Sequence, residues 1–179
     1  MSDVALLPIL LVPDAKLRAR ARAVGAGDAD VVRDLAPRML ATMYKAPGIG
    51  LAAPQVHVPL RLFIWKTGAG QSMALVNPVL EPLGEETEAG WEGCLSIPGM
   101  RGLVRRALRL RFTGLDIQGS RFDGEAQGMA ARIMQHEYDH LDGVLYPSKL
   151  EHHAKFGFNE ELARAAAEER AREAQGGTG

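Results

Sequence analysis

The stretch QHEYDHLDG, residues Gln135 to Gly143, holds two histidines four positions apart with a glutamate directly after the first. On a helix, residues four apart stand one above the other, so His136 and His140 can turn both imidazoles to one ion. Glu137 then falls beside the ion rather than on it, the place for a general base acting on water. Gly143 follows as a helix C′ residue would. The pattern predicts a helix over 125–142 with a metal-binding face. Two imidazoles are an incomplete site, and a third ligand has to come from elsewhere.

Working outward, the chain has 179 residues, a formal net charge of -1 and 46% hydrophobic residues, enough for one well-buried domain. Near-neutral charge argues against a protein built to grip nucleic acid. The single cysteine, Cys94, excludes an internal disulfide framework and points to a reducing compartment. The apolar run Val4 to Val12 is broken by Pro8 and follows Asp3 rather than a basic cluster. It is too short to span a bilayer and lacks a signal-peptide n-region, so a soluble cytoplasmic protein is expected.

Helical spacing at Val32, Leu35, Met39 and Met43 predicts an N-terminal helix, with Asp28 or Asp30 placed to cap it. RLFIWK (61–66) and MALVNPVL (73–80) read as strands. In RALRLRF, Leu108, Leu110 and Phe112 alternate with Arg109 and Arg111, giving one buried and one wet face. TGLDIQGSRFDG reads as a hairpin, and NEELARAAAEERAREA as a last helix capped by Asn159, with QGGTG a frayed end. Strands followed by helices, without βαβ alternation, indicate an α+β fold. Small antiparallel or mixed sheets are expected to pack around the central HExxH helix, between an N-terminal and a C-terminal helix. The expected division is one catalytic domain over 1–158, then a C-terminal helix and tail over 159–179.

Three routes to the third ligand are open. A metzincin protease would place a histidine six residues after the second, where Tyr146 stands. A thermolysin-like protease would use a glutamate about twenty residues downstream, and Glu160 or Glu161 is available, though an acidic first helical turn accounts for both. Cys94, in the glycine-bearing stretch WEGCLSIPG (91–99), is the better candidate. A lone cysteine is more often a small buried hydrophobe. A thiolate with two imidazoles, however, leaves one tetrahedral position open for water.

Three blocks then stand in order: GIGLAAPQ (48–55), EGCLS (92–96) and QHEYDHLDG. Taken alone, GIGLAA fits a weak dinucleotide-binding pattern, but it follows a helix and has no acidic residue about twenty positions on. Together the blocks resemble the signature motifs of peptide deformylases, which remove the formyl group from the initiator methionine of nascent bacterial chains. The resemblance covers about residues 8 to 150. It implies that Cys94, His136 and His140 hold a metal, with Glu137 as acid/base. It also implies an oxyanion hole made by the Gln55 amide and the Leu95 backbone N–H. Gly48, Ile49 and Gly50 are expected to run along the peptide substrate. Met129 and Ile133, on the ligand face of the helix, are expected with Ile49 to line a slot for the methionine side chain, with core packing as the plain alternative. Arg101 is a candidate contact to the peptide, or a solvated arginine like Arg105, Arg106, Arg109 and Arg111.

The resemblance implies one divalent ion, Fe2+ in the first place, with Ni2+, Co2+ or Zn2+ possible in purified protein. Glu92 and Asp139 are candidate acceptors for the imidazole N–H groups. The expected partners are N-formyl-methionyl nascent peptides, with no nucleic acid and no membrane. Ribosome docking through the last helix is disfavoured, because its five glutamates outnumber its three arginines. Ser148 and Lys149 replace an Asp-Arg pair common in the family, a change expected to remove an ion pair and disturb local packing. Two other functions stand beside the deformylase reading: a silent, metal-bearing paralogue that binds formyl-Met peptides, and a zinc endopeptidase.

Overall fold

The computed structural model describes residues 4–67 and 69–176. Helix α1 (Ala29–Lys45) leads into strands β1 (Gly50–Ala52), β2 (Leu62–Lys66) and β3 (Ser72–Pro82). Next come β4 (Thr87–Cys94), β5 (Ile97–Ala107), β6 (Arg109–Leu115) and β7 (Arg121–Gln127). Helix α2 (Met129–Leu141), the short strand β8 (Phe156–Phe158) and helix α3 (Asn159–Gly176) complete the chain. The strands form two antiparallel sheets, one ordered β1-β2-β3-β6-β7 and the other β4-β5-β8. The fold is α+β, as the strand and helix pattern indicates.

Strand β2 explains how the two helices are held. Successive side chains of a strand point to opposite faces. Leu62 and Ile64 pack with Val32, Leu35, Met39 and Met43 of α1. Phe63 and Trp65 pack on the other face with Ala131, Met134 and Leu141 of α2. The larger sheet is therefore covered on both sides, which is why RLFIWK is almost uniformly apolar. The smaller sheet closes over the other flank of α2, where Ile97 and Val104 join Leu145 and Tyr146.

Several expectations are corrected. Residues 125–127 end strand β7, and the helix begins only at Met129, after Gly128 turns the chain at φ 57°. Glycine tolerates that backbone where a side chain would strain it. The stretch WEGCLSIPG, for which the sequence suggested no strands, forms the β4–β5 hairpin. Leu110 and Phe112 are buried as the alternation requires, whereas Leu108 lies between β5 and β6. Asp28 does precede α1, but its carboxylate binds Arg22 and the Gly25 N–H instead of the helix. Gly143 terminates α2 at φ 72°, and a side chain there would stand 2.3 Å from the Arg18 carbonyl oxygen. Helix α3 lies against β8 and is exposed along nearly its whole length, with only Leu162 and Ala166 partly covered among residues 159–173. Of the expected frayed end, residues 177–179 lie outside the described residues, while 175 and 176 continue the helix.

Candidate metal centre

Helix α2 presents His136, Glu137 and His140 on the side away from the larger sheet's apolar core, and all three are buried. Cys94 ends β4, where the register with β5 shifts between Gly93 and Cys94 and turns the thiol toward the helix. The Cys94 Sγ and one ring nitrogen from each histidine lie within 4.8 Å of one another. Cys94 Sγ is 3.3 Å from His140 Nε2. No other cluster of three such groups occurs among the described residues. Glu160 and Glu161, the alternative ligands, are exposed at the start of α3 and belong to no such cluster.

The donor set fits a divalent metal. His136 Nδ1 is 3.0 Å from Glu92 Oε2 and donates to it, which directs Nε2 at the thiol. A thiolate and two imidazoles suit a borderline-soft ion such as Zn2+, Fe2+, Co2+ or Ni2+, and leave room for a further ligand. Without the ion, His136 is the proton store of the cluster. Burial opposes its charge, but the hydrogen bonds it donates to Cys94 and Glu92, with the Glu137 charge, raise its pKa to about 10. His140 is pushed the other way, first by burial and then by the His136 and Arg106 charges. Metal uptake must therefore displace a proton.

Glu137 is 4% exposed, and its Oε2 has no hydrogen-bond partner among the described residues. Burial is the main reason its carboxyl rises to about 7. A carboxyl poised near neutrality can both accept and return a proton. The carboxylate fits only because residue 50 is glycine: a Cβ there would lie 2.2 Å from Glu137 Oε1.

Gln55 is fixed from behind by the turn that follows β1. Its Oε1 accepts from the Ala52 N–H at 2.9 Å, which sends Nε2 toward Ser96 Oγ at 3.0 Å and Cys94 Sγ at 3.5 Å. One cavity of about 660 Å³ gathers Gly48, Ile49, Gly50, Gln55, Cys94, Leu95, Arg101, Met129, Ile133, His136 and Glu137. His140 lies at the back, outside that lining. Met129 is exposed at the rim and Ile133 is buried at the wall. A second, more apolar cavity of about 400 Å³, between α1 and β3, contains no metal-ligating histidine or cysteine and lies apart from this chemistry.

Four features escaped the sequence reading. Arg106 is buried and forms a bidentate pair with Glu92 at 2.9 and 2.8 Å, reaching Asp139 with its third nitrogen at 2.6 Å. Its inward position was signalled by its spacing from Val104, two residues back on the same strand face. Arg132, one helical turn before His136, donates to Glu92 Oε1 at 2.9 Å. Buried Ser96 receives the Gln55 amide, a contact without a sequence signal. The Tyr146 ring stacks on His136 at 6.1 Å. The expectations for the acids divide. Glu92 binds a histidine, whereas Asp139 binds Arg106 and Lys149 instead. The Lys149–Asp139 pair, 2.8 Å long, also corrects the expected loss of an ion pair at that segment. Glu92 itself is held at about 2: burial pushes it up, and the hydrogen bonds from Arg106 and His136 outweigh that.

The polypeptide deformylase family profile matches residues 6–156. The chain is 45% identical over 163 residues to peptide deformylase 1 of Bordetella pertussis, covering 86% of this chain and 93% of that protein. It is 43% identical over 164 residues to peptide deformylase 2 of Ralstonia nicotianae, covering 87% and 93%. Among solved structures, the peptide deformylase of Thermotoga maritima matches with a TM-score of 0.78 and 36% identity, over 83% of this chain and 99% of that one. The Met-Ala-Ser-bound class I type b peptide deformylase of Acinetobacter baumannii matches with a TM-score of 0.77 and 33% identity, over 83% and 100%.

Proposed function

The chain belongs to the polypeptide deformylase family, and on that premise we propose that it hydrolyses the formyl amide of N-formyl-methionyl nascent polypeptides. Formate and a free methionine amine leave. The observation that carries this reading is the cluster of Cys94, His136 and His140 beside Glu137, whose Oε2 has no partner among the described residues, at a cavity lined by Cys94, His136 and Glu137. The silent-paralogue and endopeptidase readings have no observation in their favour.

Cys94, His136 and His140 are the residues that would hold one divalent ion, which we take to be Fe2+; Ni2+, Co2+ and Zn2+ suit the same donors. When bound, the ion supplies Lewis acidity, polarising the formyl carbonyl and making water acidic near neutral pH. Glu137 takes the proton of the attacking water and returns it to the amine nitrogen as the C–N bond breaks. The Gln55 amide and the Leu95 N–H donate to the oxygen that becomes negative, each contributing about 3 kcal/mol in the transition state. Gly48, Ile49 and Gly50 flank the peptide, while Ile49, Met129 and Ile133 receive the methionine side chain. Arg101 reaches the chain beyond it. A wall beside the formyl hydrogen excludes acetyl, and comparable turnover of acetyl and formyl peptides would refute that wall.

The catalytic unit is 1–158 and the C-terminal helix and tail over 159–179 are an appendage, a division supported by the family match ending at 156. No helix among the described residues is long and apolar enough to cross a membrane. We assign the protein to the cytoplasm, where its substrates are made, without docking to the ribosome through its acidic last helix.

The test is formate release from formyl-Met-Ala-Ser by protein purified anaerobically with iron or loaded with nickel. Rapid release is expected. A folded, metal-loaded protein that released none would instead support the silent paralogue.

A further inference from the structure

Helix α2 and strand β4 contribute the imidazoles and the thiol, and nothing covalent joins them near the site. Beside the His136–Glu92 bond, one buried side chain of α2 reaches both β4 and β5. Arg132 is 6% exposed and lies on α2 one turn before His136. Its guanidinium donates to Glu92 Oε1 at 2.9 Å and to the Val104 carbonyl at 2.8 Å. It also donates to the Glu88 carbonyl at 2.7 Å. Those acceptors belong to both β4 and β5, so a single planar fork ties the helix to two strands at once.

The same carboxylate that receives Arg132 receives His136 Nδ1 on its other oxygen. Glu92 is two residues before Cys94. A shift of the guanidinium is therefore transmitted to the thiol along β4, and to the first imidazole through Glu92. The backbone has made room for this fork: a Cβ on Gly90 would stand 2.7 Å from Arg132 Cζ. Arg106 provides a second tie through Asp139, but at the His140 end of the helix.

We propose that Arg132 is a positioning residue that locks the imidazole-bearing helix to the thiol-bearing strand and thereby sets the affinity of the metal site. The inference rests on the assignment of Cys94, His136 and His140 as the ligands. Arg132 borders the cavity, but its guanidinium is taken up by acceptors on β4 and β5, and it acts on the ligands through Glu92. Lost support of this kind typically weakens metal binding about 10- to 100-fold.

The experiment compares wild type with Arg132→Leu, Arg132→Lys and Gly90→Ala, each loaded with Co2+ under anaerobic conditions. Three quantities are read: the Co2+ dissociation constant by chelator competition, the visible ligand-field spectrum, and kcat and KM for formyl-Met-Ala-Ser. Wild type should bind one Co2+ with a thiolate-containing spectrum; if it does not, the ligand assignment falls and this inference with it. Arg132→Leu should bind Co2+ about 10- to 100-fold more weakly, with shifted bands and reduced kcat at unchanged KM. Arg132→Lys should recover little, because a point charge cannot span the four acceptors, the Gly90 carbonyl at 3.4 Å included. Gly90→Ala displaces the fork while keeping the arginine, and it carries the test should Arg132→Leu fail to fold. Variants that melt earlier yet keep wild-type affinity and spectrum would overturn the proposal, leaving Arg132 merely structural. Full recovery by lysine would overturn it too.

Discussion

Gly50 passes so close to Glu137 that a methyl group on its Cα would stand 2.2 Å from the carboxylate Oε1 and 2.7 Å from Cδ. Two elements remote in sequence thus share one volume, and the acid/base sits where strand β1 permits. Gly50→Ala should drive the carboxylate out of line with the attacking water. A displacement of that size costs on the order of a hundredfold in kcat. Metal content should not change. Steady-state kinetics alongside metal analysis would check both statements, and an active Gly50→Ala enzyme would show that the carboxylate has other room.

The raised carboxyl of Glu137 gives a stability prediction with a definite sign. Its pKa moves from the ordinary 4.5 to about 7, chiefly through burial. The folded chain therefore holds this proton more tightly than the unfolded chain. The penalty for ionising it begins above pH 4.5 and is complete above pH 7. Glu137→Gln removes that penalty. The metal-free variant should melt above wild type at pH 8, with the gap narrowing as pH falls to 4.5. Formate release should drop by about 10²- to 10⁴-fold in the same variant.

Glu92 behaves oppositely. Its carboxyl lies at about 2 against an ordinary 4.5, so its stabilising contribution is present above pH 4.5 and disappears as pH falls toward 2. Glu92→Gln leaves Arg106 and Arg132 without their shared anion and should cost about 3–5 kcal/mol. Acid unfolding followed for both proteins should show the variant insensitive across that window. Equal stability at pH 7 would mean that the two arginines find other partners.

Cys94→Ala should abolish retention of one equivalent of metal while leaving the fold intact, because the remaining donors are only His136 and His140. Metal analysis after gel filtration decides it. A variant that kept its metal would direct attention to carboxylate ligands and to endopeptidase chemistry.

The Tyr146 hydroxyl is buried without a hydrogen-bond partner among the described residues, while its ring stacks on His136. A buried unsatisfied polar group costs about 1–3 kcal/mol. Tyr146→Phe keeps the ring and removes that cost, so it should raise the melting temperature by about 2–4 °C for each kcal/mol recovered. A lower melting temperature would reveal a partner for the hydroxyl.

What was legible in the sequence followed from period and chemistry. The apolar spacing of Val32, Leu35, Met39 and Met43 located α1, and the His136–His140 spacing located the ligand face of α2. The sole cysteine completed the donor set because its chemistry matched. The β4–β5 hairpin was hidden by its glycines. Gly90 accommodates Arg132, and a Cβ at Gly102 would lie 2.2 Å from Leu150 Cδ2, so these positions carry backbone information that side-chain patterning does not express. Of the two buried arginines, Arg106 was read as solvated and Arg132 was not singled out, for a related reason. Only the fold brings Glu92 between them, and an arginine without its carboxylate belongs on a surface.

The thiol of Cys94 and the ring of His140 are separated by 46 positions, with β5, β6 and β7 strung between them. A chain still being synthesised, with its helix not yet made, has a lone cysteine and nothing to pair it with. The three donors therefore come together only in a chain whose β5, β6 and β7 have folded and brought α2 against β4. A one-residue slip in the β4–β5 register would turn the thiol away from the imidazoles, so the geometry of the cluster depends on the pairing of strands far from it in sequence.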